Sequence, residues 1–576
     1  MKKIVNVAIS AALGFSLAGC NDFLTLVPLN DVVFENFWTD KADVESVLLG
    51  AYSALETSDC ITRMSVWGEM RSDNIVNGTS TGNDILQITK ENLLETNSYV
   101  TWDCIYKVIN RANTVIEFAD DVAAKDPNYT LADLNGHLAE ARAIRDLCYF
   151  YLIRAYRDVP YVTTPSKDDT KPFVIPASSF DYILGELIAD LEEVVDNNMP
   201  VKRFKDLGDI SNTARFTRTS VLALLADMYL WSGDWQKCID RCEEVIKLKT
   251  AEYKEIKERD GSSCTIDLFN DIPLIRETVG GNTGNVYNEI FGTGNSFESL
   301  FELAFIDYQS VKNDFITTYY GSENTSVGQL AAYSELFRGA LTSTSGNKFF
   351  DRYDCRVLES LADGSNNYPI RKYVARNVQF DIAKDDPNGV KVSRTTYRND
   401  NQSPNWIVYR FTEVLLMEAE AKCMLAKELG GDINNQEVAN LLRDDPRSAF
   451  NLVNTVYQRA VNVKDNSKAK ALTFTNTYGT IQGMEELIML ERRREFLFEG
   501  KRWFDLVRMS RRDGNTKRLL STVLLKFTEN VSAIRIKLAD MDAIYFPIAK
   551  DELKVNTLLK QNPAFVEDEY SSKGGK

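Results

Sequence analysis

Residues 222–246 read LALLADMYLWSGDWQKCIDRCEEVI, and this stretch decides the fold. Its first half is a helix with contact positions at Leu222, Leu225, Ala226 and Tyr229. Gly233 marks a reversal, Trp235 begins a second helix, and Cys238, Cys242 and Val245 fall on that helix's inner face. Two antiparallel helices in close approach need small side chains where they cross and a glycine where the chain turns back. Bulky side chains then fill the groove between them. Cys238 and Cys242 therefore read as core residues. Their i, i+4 spacing is also half of a zinc site, but no second ligand pair accompanies it, and no metal is expected.

The spacing is that of a tetratricopeptide helix pair, and amphipathic segments of similar length surround it. They lie at about 41 to 55, 98 to 119, 133 to 157 and 178 to 196, and again at about 407 to 428, 451 to 463, 483 to 511 and 549 to 560. Between about 250 and 405 the pattern changes. Gly280-Gly281, Gly292, Gly294, Gly321, Gly346 and Asp385-Asp386-Pro387-Asn388-Gly389 mark turns, and Phe301 to Phe305 alternates like a half-buried strand. The expected fold is mainly α: tetratricopeptide-like helix pairs form an α-solenoid scaffold at about 40–250 and 405–576, and a loop-rich subdomain is inserted at about 250–405. A repeat array grows in one direction, so one domain can span residues 20–576. The stretch from about Leu429 to Phe450 reads as an insertion separating one helix from its partner.

Lys2 and Lys3 precede an apolar run from Ile4 to Leu17, which ends in Leu17-Ala18-Gly19-Cys20. A basic n-region, a short h-region and small residues before a thiol are the parts of a lipoprotein leader. Residues 1–19 are expected to be removed and Cys20 lipidated, leaving the membrane contact to that lipid alone. With the two lysines gone, 65 basic residues face 83 acidic ones, a net charge of −18 that argues against nucleic acid as a partner. The other eight cysteines, widely spaced in helical surroundings, are expected to be buried free thiols.

Blocks along the chain resemble, in order, the SusD/RagB family of surface lipoproteins. They begin with Asn21 to Leu24, Glu69-Met70-Arg71-Ser72-Asp73-Asn74, and Trp102 to Tyr106 continuing to Asn113. Glu140 to Arg145 with Tyr149-Phe150 and Asp158-Val159-Pro160 follows, then Tyr409 to Ala421. The last blocks are Glu491 to Phe496 with Glu499 to Leu506, and Phe546-Pro547 with Asn556 and Gln561-Asn562-Pro563. The resemblance implies a protein of the outer membrane, lipid-anchored and surface-exposed. It would cover a SusC-like TonB-dependent transporter and hand it a bound nutrient, usually an oligosaccharide, without catalysis or a cofactor. A peptide ligand, as in RagB-like relatives, a glycoside hydrolase and a purely structural surface protein are the alternatives.

Glu491, Glu495 and Glu499 repeat every four residues, a stripe that needs cations because like charges at that spacing repel. Arg494, Arg502 or a basic residue from a neighbouring helix could supply them, and Phe498, Trp503 and Phe504 read as packing. Arg142, Arg145, Arg410 and Glu413 are given the same structural role. A glycosidase needs only two opposed carboxylates, so composition alone does not remove that class. The single histidine, His137, on a helix's polar approach, leaves little room for histidine-dependent triads or metal sites. No Gly-rich phosphate loop is present.

Sugar recognition asks for aromatic faces together with amide, carboxylate or guanidinium groups. Residues 287 to 320 hold nine aromatics in 34 positions, where the chain's average gives between three and four. With Phe301 and Phe305 assigned to the core, Tyr287, Tyr308, Tyr319 and Tyr320 are the expected ligand contacts. The turn from Arg71 through Asp73 and Asn74 to Asn77 is expected to add polar ones.

Overall fold

The computed structural model describes residues 37–566 except 79, 167–173, 308–310, 323–327, 337–348, 352, 363–367, 383–389 and 462–470. The leader, Cys20, Tyr308, Gly346 and the 385–389 turn lie outside the described residues. The scaffold begins with α1 (Lys41–Leu55) and α2 (Ser58–Ser65). Asp40 starts α1 with a capping box, its carboxylate accepting from the Asp43 amide while the Asp43 side chain reaches back. Then come α3 (Asp103–Ala123), α4 (Leu131–Tyr156), α5 (Phe180–Asp196), α6 (Arg218–Ser232) and α7 (Trp235–Asp260). Each of α3 to α7 packs against its predecessor in this sequence, and α1 packs on α3.

The hairpin read from residues 222–246 is α6 and α7. Gly233 closes α6 in the left-handed region (φ 83°), and Asp234 caps α7 through the Lys237 amide. Leu222, Leu225, Ala226, Tyr229, Cys238, Cys242 and Val245 are all buried. The array then continues across the insertion. α7 packs against α8 (Phe411–Glu428), which packs against α9 (Ala449–Val461) and α10 (Ile481–Glu495). The stretch from 429 to 450 holds a Gly430-Gly431 reversal (φ 96° and 69°) and the short helix Gln436–Ala439, and α8 keeps its partner α9. No described helix is long and apolar enough to cross a membrane.

Four expectations are corrected. The helix read from 407 begins at Phe411, because Trp406–Arg410 is a strand paired antiparallel with Ser299–Leu303 (Trp406 opposite Leu303, Ile407 opposite Glu302). The helix read over 483–511 breaks into α10 and α11 (Arg502–Asp513), with Phe498 (φ 63°) and Gly500 (φ 73°) between them. A Cβ on Gly68 would meet the Gly500 carbonyl at 1.8 Å, so this turn lies directly on the chain after α2. His137 is buried within α4 with Nδ1 3.0 Å from the Tyr129 hydroxyl, and burial lowers its pKa. The stretch read as a helix over 549–560 is helical only at Lys550–Val555.

The insertion carries β1 (Ser299–Leu303), the hairpin β2 (Ala375–Ile382) and β3 (Val390–Tyr397), and β4 (Trp406–Arg410), which returns the chain to the scaffold. Phe301 stacks on Phe216 of the segment leading into α6, ring centroids 4.1 Å apart. All eight described cysteines are buried free thiols.

The glutamate stripe locks insertion to scaffold. Glu495 accepts from Arg410 (2.6 Å), Arg356 (3.0 Å) and Arg459; Glu499 accepts from Arg410 (2.9 Å) and Lys372 (2.8 Å). Glu491 pairs with Arg356 (2.6 Å) and Arg494 (3.2 Å). Arg356 and Lys372 belong to the insertion, Arg459 to α9, and Arg410 to the strand entering α8. Arg502, offered as a partner for the stripe, instead binds Asp73 (2.9 Å). Each carboxylate is desolvated, and several guanidiniums are needed to offset that cost. At Glu495 they more than offset it: burial favours the neutral acid, yet Arg459, Arg410 and Arg356 hold the carboxyl well below its usual range.

Candidate functional site

Most residues expected to touch ligand are inside the molecule. Arg71 is fully buried: its guanidinium binds Glu91 (2.7 Å), donates to the carbonyls of Ala543 (2.7 Å) and Ile544 (2.8 Å), and lies 4.2 Å from the Trp503 ring centroid. Asp73 is held by Arg502 and Arg493, each at 2.9 Å; burial opposes its charge, but the two guanidiniums keep its carboxyl well below the usual range. The Asn74 amide donates to Glu69 (2.9 Å) and its oxygen accepts from Arg493 (2.8 Å). Tyr287 and Tyr320 are buried. The Tyr287 hydroxyl donates to the carbonyls of Ala375 (2.9 Å) and Arg371 (3.1 Å), and that of Tyr320 to Phe498 (3.0 Å). A group saturated and desolvated in this way has no donor to offer a sugar. Arg71, Asp73 and Asn74 fix the N-terminal region to the C-terminal segment, Tyr320 ties the insertion to that segment, and Tyr287 braces the insertion internally.

Asn77 and Tyr319 remain, and the fold brings them together. The strand Ile75–Asn77 pairs antiparallel with Leu330–Ala332, placing Asn77 opposite Leu330. One residue on, the Gly78 amide donates to the Gln329 carbonyl (2.9 Å), and the Gln329 amide donates to Thr318 (3.2 Å) in the helical turn Ile316–Tyr320. A Cβ on Gly328 would lie 2.3 Å from the Tyr319 carbonyl, so glycine is what lets the strand pass the turn. The Tyr319 hydroxyl hydrogen-bonds the Tyr99 hydroxyl, and the two rings meet edge to face at 6.5 Å. Tyr99 sits in a short turn, Ser98–Val100, which Asn97 caps. Arg63 from α2 braces that turn by donating to the carbonyls of Ser98 (2.9 Å) and Thr101 (3.0 Å), with its guanidinium 5.4 Å from the Tyr99 centroid.

The polar groups around this rim are partly used. Asn77 accepts from Thr89 (2.6 Å) through its oxygen, the Gln329 side-chain oxygen accepts from the Gly82 amide (2.9 Å), and Asp84 accepts from the Ser98 amide (3.0 Å). The Nδ2 of Asn77 and the Nε2 of Gln329 have no protein partner among the described residues. Ser98 and Thr318 are exposed and Tyr99 is half-buried, whereas the Tyr319 ring is buried against Phe315 and reaches the rim through its part-buried hydroxyl bond to Tyr99. Sequence reading missed Arg63, Asp84, Ser98, Tyr99 and Gln329. Only the Asn97-Ser98-Tyr99 run, an aromatic among amide and hydroxyl groups, carried a signal.

A groove of about 480 Å³ lies elsewhere, between α3, the chain after Pro160 and the short helix Lys550–Val555. Trp102, Tyr106 and Leu559 line it, with Asp103, Lys107 and Glu552 at its polar edges. Tyr106 is tied down through its hydroxyl to the Pro160 carbonyl (2.6 Å). Among the described residues no group of three or more His, Cys, Asp or Glu side chains could hold a metal ion.

The family described as "SusD family" matches residues 308–565, and that described as "Starch-binding associating with outer membrane" matches residues 22–230. A SusD-like protein P38 from Formosa agariphila is 24% identical over 535 residues, 89% of this chain and 93% of that protein. A SusD-like protein from Bacteroides ovatus is 25% identical over 544 residues, 88% and 82% of the two chains. Among solved structures, a SusD superfamily protein from Bacteroides vulgatus matches 92% of this chain and 100% of its own, with 17% identity and a TM-score of 0.63. A SusD homolog from Bacteroides thetaiotaomicron matches 92% and 98%, with 18% identity and the same TM-score. With N- and C-terminal portions both matched within one family, and with relatives aligned over most of their length, the chain belongs to the SusD/RagB family.

Proposed function

We propose that this protein is an outer-membrane, surface-exposed lipoprotein, anchored through Cys20 after loss of residues 1–19, which binds a nutrient oligosaccharide and passes it to a SusC-like TonB-dependent transporter. Residues 20–576 act as one SusD-like unit in this reading. The observation that carries it is the Tyr99–Tyr319 rim: the half-buried Tyr99 ring, held in place by the Tyr319 hydroxyl, beside Asn77, Ser98 and Gln329, where polar groups retain hydrogen-bonding capacity. An aromatic edge with amides and hydroxyls matches the apolar face and hydroxyl fringe of a pyranose. A few such contacts, after ordering costs, support affinity of about micromolar or weaker, which suits a carrier that must release its cargo.

Binding without turnover is the favoured chemistry. The carboxylates that first invite a hydrolase reading, Glu491, Glu495 and Glu499, are buried and engaged by guanidinium or ammonium groups. The test is calorimetry of the mature protein against a polysaccharide panel, with Tyr99→Ala and Tyr319→Ala beside the wild type and product analysis of each mixture. Saturable binding weakened by both substitutions, with no new reducing ends, is expected. Cleaved product would favour a hydrolase. Absence of any ligand, together with absence of a transporter on co-purification from solubilised outer membranes, would favour a structural protein.

A further inference from the structure

A second cavity, sharing no residue with the rim, lies against the C-terminal half of α7. It measures about 390 Å³ and is closed by the 202–213 loop, by α7 and by the chain leading into β1. That volume falls within the range of small-molecule sites, roughly 300–1,000 Å³. Part of its wall is apolar, from Leu248, Ile256, Phe297 and Leu300.

The charged part of the wall is arranged unevenly. Lys249 is buried, its ammonium 2.5 Å from Glu252 and 4.0 Å from the Phe297 ring centroid. Arg203 is bound to Glu255 (2.7 Å) and Arg259 to Asp260 (2.6 Å). Three of the four cations at the cavity are therefore each committed to a carboxylate, and among the described residues only the exposed Lys202 is not. Glu289 has no salt-bridge partner among the described residues. It accepts from the Asn285 side-chain amide (2.8 Å) and from the Thr265 hydroxyl, and burial raises its carboxyl pKa. With one more carboxylate than cation, the wall has little to recruit a phosphate or a carboxylate ligand. A carboxylate already holding one cation still has lone pairs for hydroxyl donors. Thr219 lies on the same wall.

We propose that this cavity is a second saccharide site, which takes a neutral mono- or disaccharide unit by accepting its hydroxyl protons on carboxylates, Glu289 first among them, against the apolar wall of Leu248 and Ile256. It is independent of the rim, so a long glycan could occupy both or each could take a separate chain end. The test uses the full mature protein in detergent, with saturation-transfer NMR titrations of glucose, maltose, cellobiose and xylobiose. The Tyr99→Ala, Tyr319→Phe double variant, which keeps the buried Tyr319 ring, isolates the cavity. In that background one saturable saccharide site is expected to remain, and Glu289→Gln and Thr219→Phe are each expected to weaken it about tenfold or more, since losing one hydroxyl contact of this kind is worth at least that. The melting temperature of each variant checks its fold, and Glu289→Gln preserves shape should the bulkier change fail. No saturable binding in the double variant, or binding unmoved by a folded Glu289→Gln protein, overturns the proposal. Saturation by spermidine in place of every sugar overturns it in favour of an ammonium site. Loss at the cavity with no effect of the tyrosine substitutions would instead count against the rim alone.

Discussion

The ion network around Glu495 and the rim around Tyr319 are built from similar polar residue types, yet one is closed and the other open. In the network Arg410 gives its guanidinium to Glu495, Glu499 and the Glu495 carbonyl, and nothing is left over. At the rim Asn77 and Gln329 each spend one side-chain atom on the fold and keep another. What separates scaffold from site in this protein is unspent hydrogen-bonding capacity near solvent. The proportion of polar residues does not distinguish them.

The largest effect should come from breaking the closed region. Arg410→Ala leaves Glu495 and Glu499 short of their shared partner in the core, and losing one side of a buried pair typically costs about 3–5 kcal/mol. Chemical denaturation should register it as a lower midpoint or as failure to fold. Trp503→Ala removes a buried indole that donates to the Ile544 carbonyl (3.1 Å) and packs on Arg71, and is expected to cost a similar amount, about 3–5 kcal/mol.

A smaller effect sharpens the comparison through pH. Burial works against the Asp505 charge, but Arg492 and Arg508 outweigh it and pull its carboxyl down to about 2. A carboxylate with a depressed folded pKa stabilises above its unfolded value, near 4, and loses that contribution as pH falls toward 2; Asp505 alone is worth on the order of 2 kcal/mol. Glu69 acts in the opposite sense, because burial pushes its carboxyl up to about 7. Its contribution is fully present at low pH and is lost as pH rises from about 4.5 through 7. Glu69→Gln should therefore flatten the stability profile between pH 5 and 7 while leaving the acid limb unchanged, as urea midpoints across that range would show. The smallest effect on stability is expected at the rim. Tyr319→Phe removes one partly buried hydroxyl–hydroxyl bond, about 0.5–1.5 kcal/mol, and a shift of only a few degrees in melting temperature should accompany it.

Much of the scaffold was legible because its determinants are local. Leu222 to Val245 carries the spacing, the glycine and the crossing residues within one segment, and the structure places each on the inner face. The structural role of Glu491, Glu495 and Glu499 was legible from repulsion alone, although Arg356 and Lys372 come from a region no periodicity links to them. The break at Phe498 was hidden because a non-glycine residue with positive φ leaves no sequence mark. The Arg71–Asn74 turn looked like surface for a related reason. Its partners Arg493, Arg502 and the Ile544 carbonyl lie more than 400 residues away and bury it. Aromatic density pointed to the right neighbourhood at Tyr319 but could not separate it from Tyr287 and Tyr320, whose hydroxyls are satisfied by main-chain carbonyls inside the core.

The most direct measurement pairs ligand affinity with stability in one folded variant. Tyr99→Ala protein, which keeps the buried Tyr319 ring in place, is expected to melt within a few degrees of the wild type and to lose about fivefold in affinity for whichever glycan the wild type binds at the rim, since an aromatic contact is worth about 1 kcal/mol. Unchanged glycan affinity in that folded variant would contradict the assignment of the rim as the binding site.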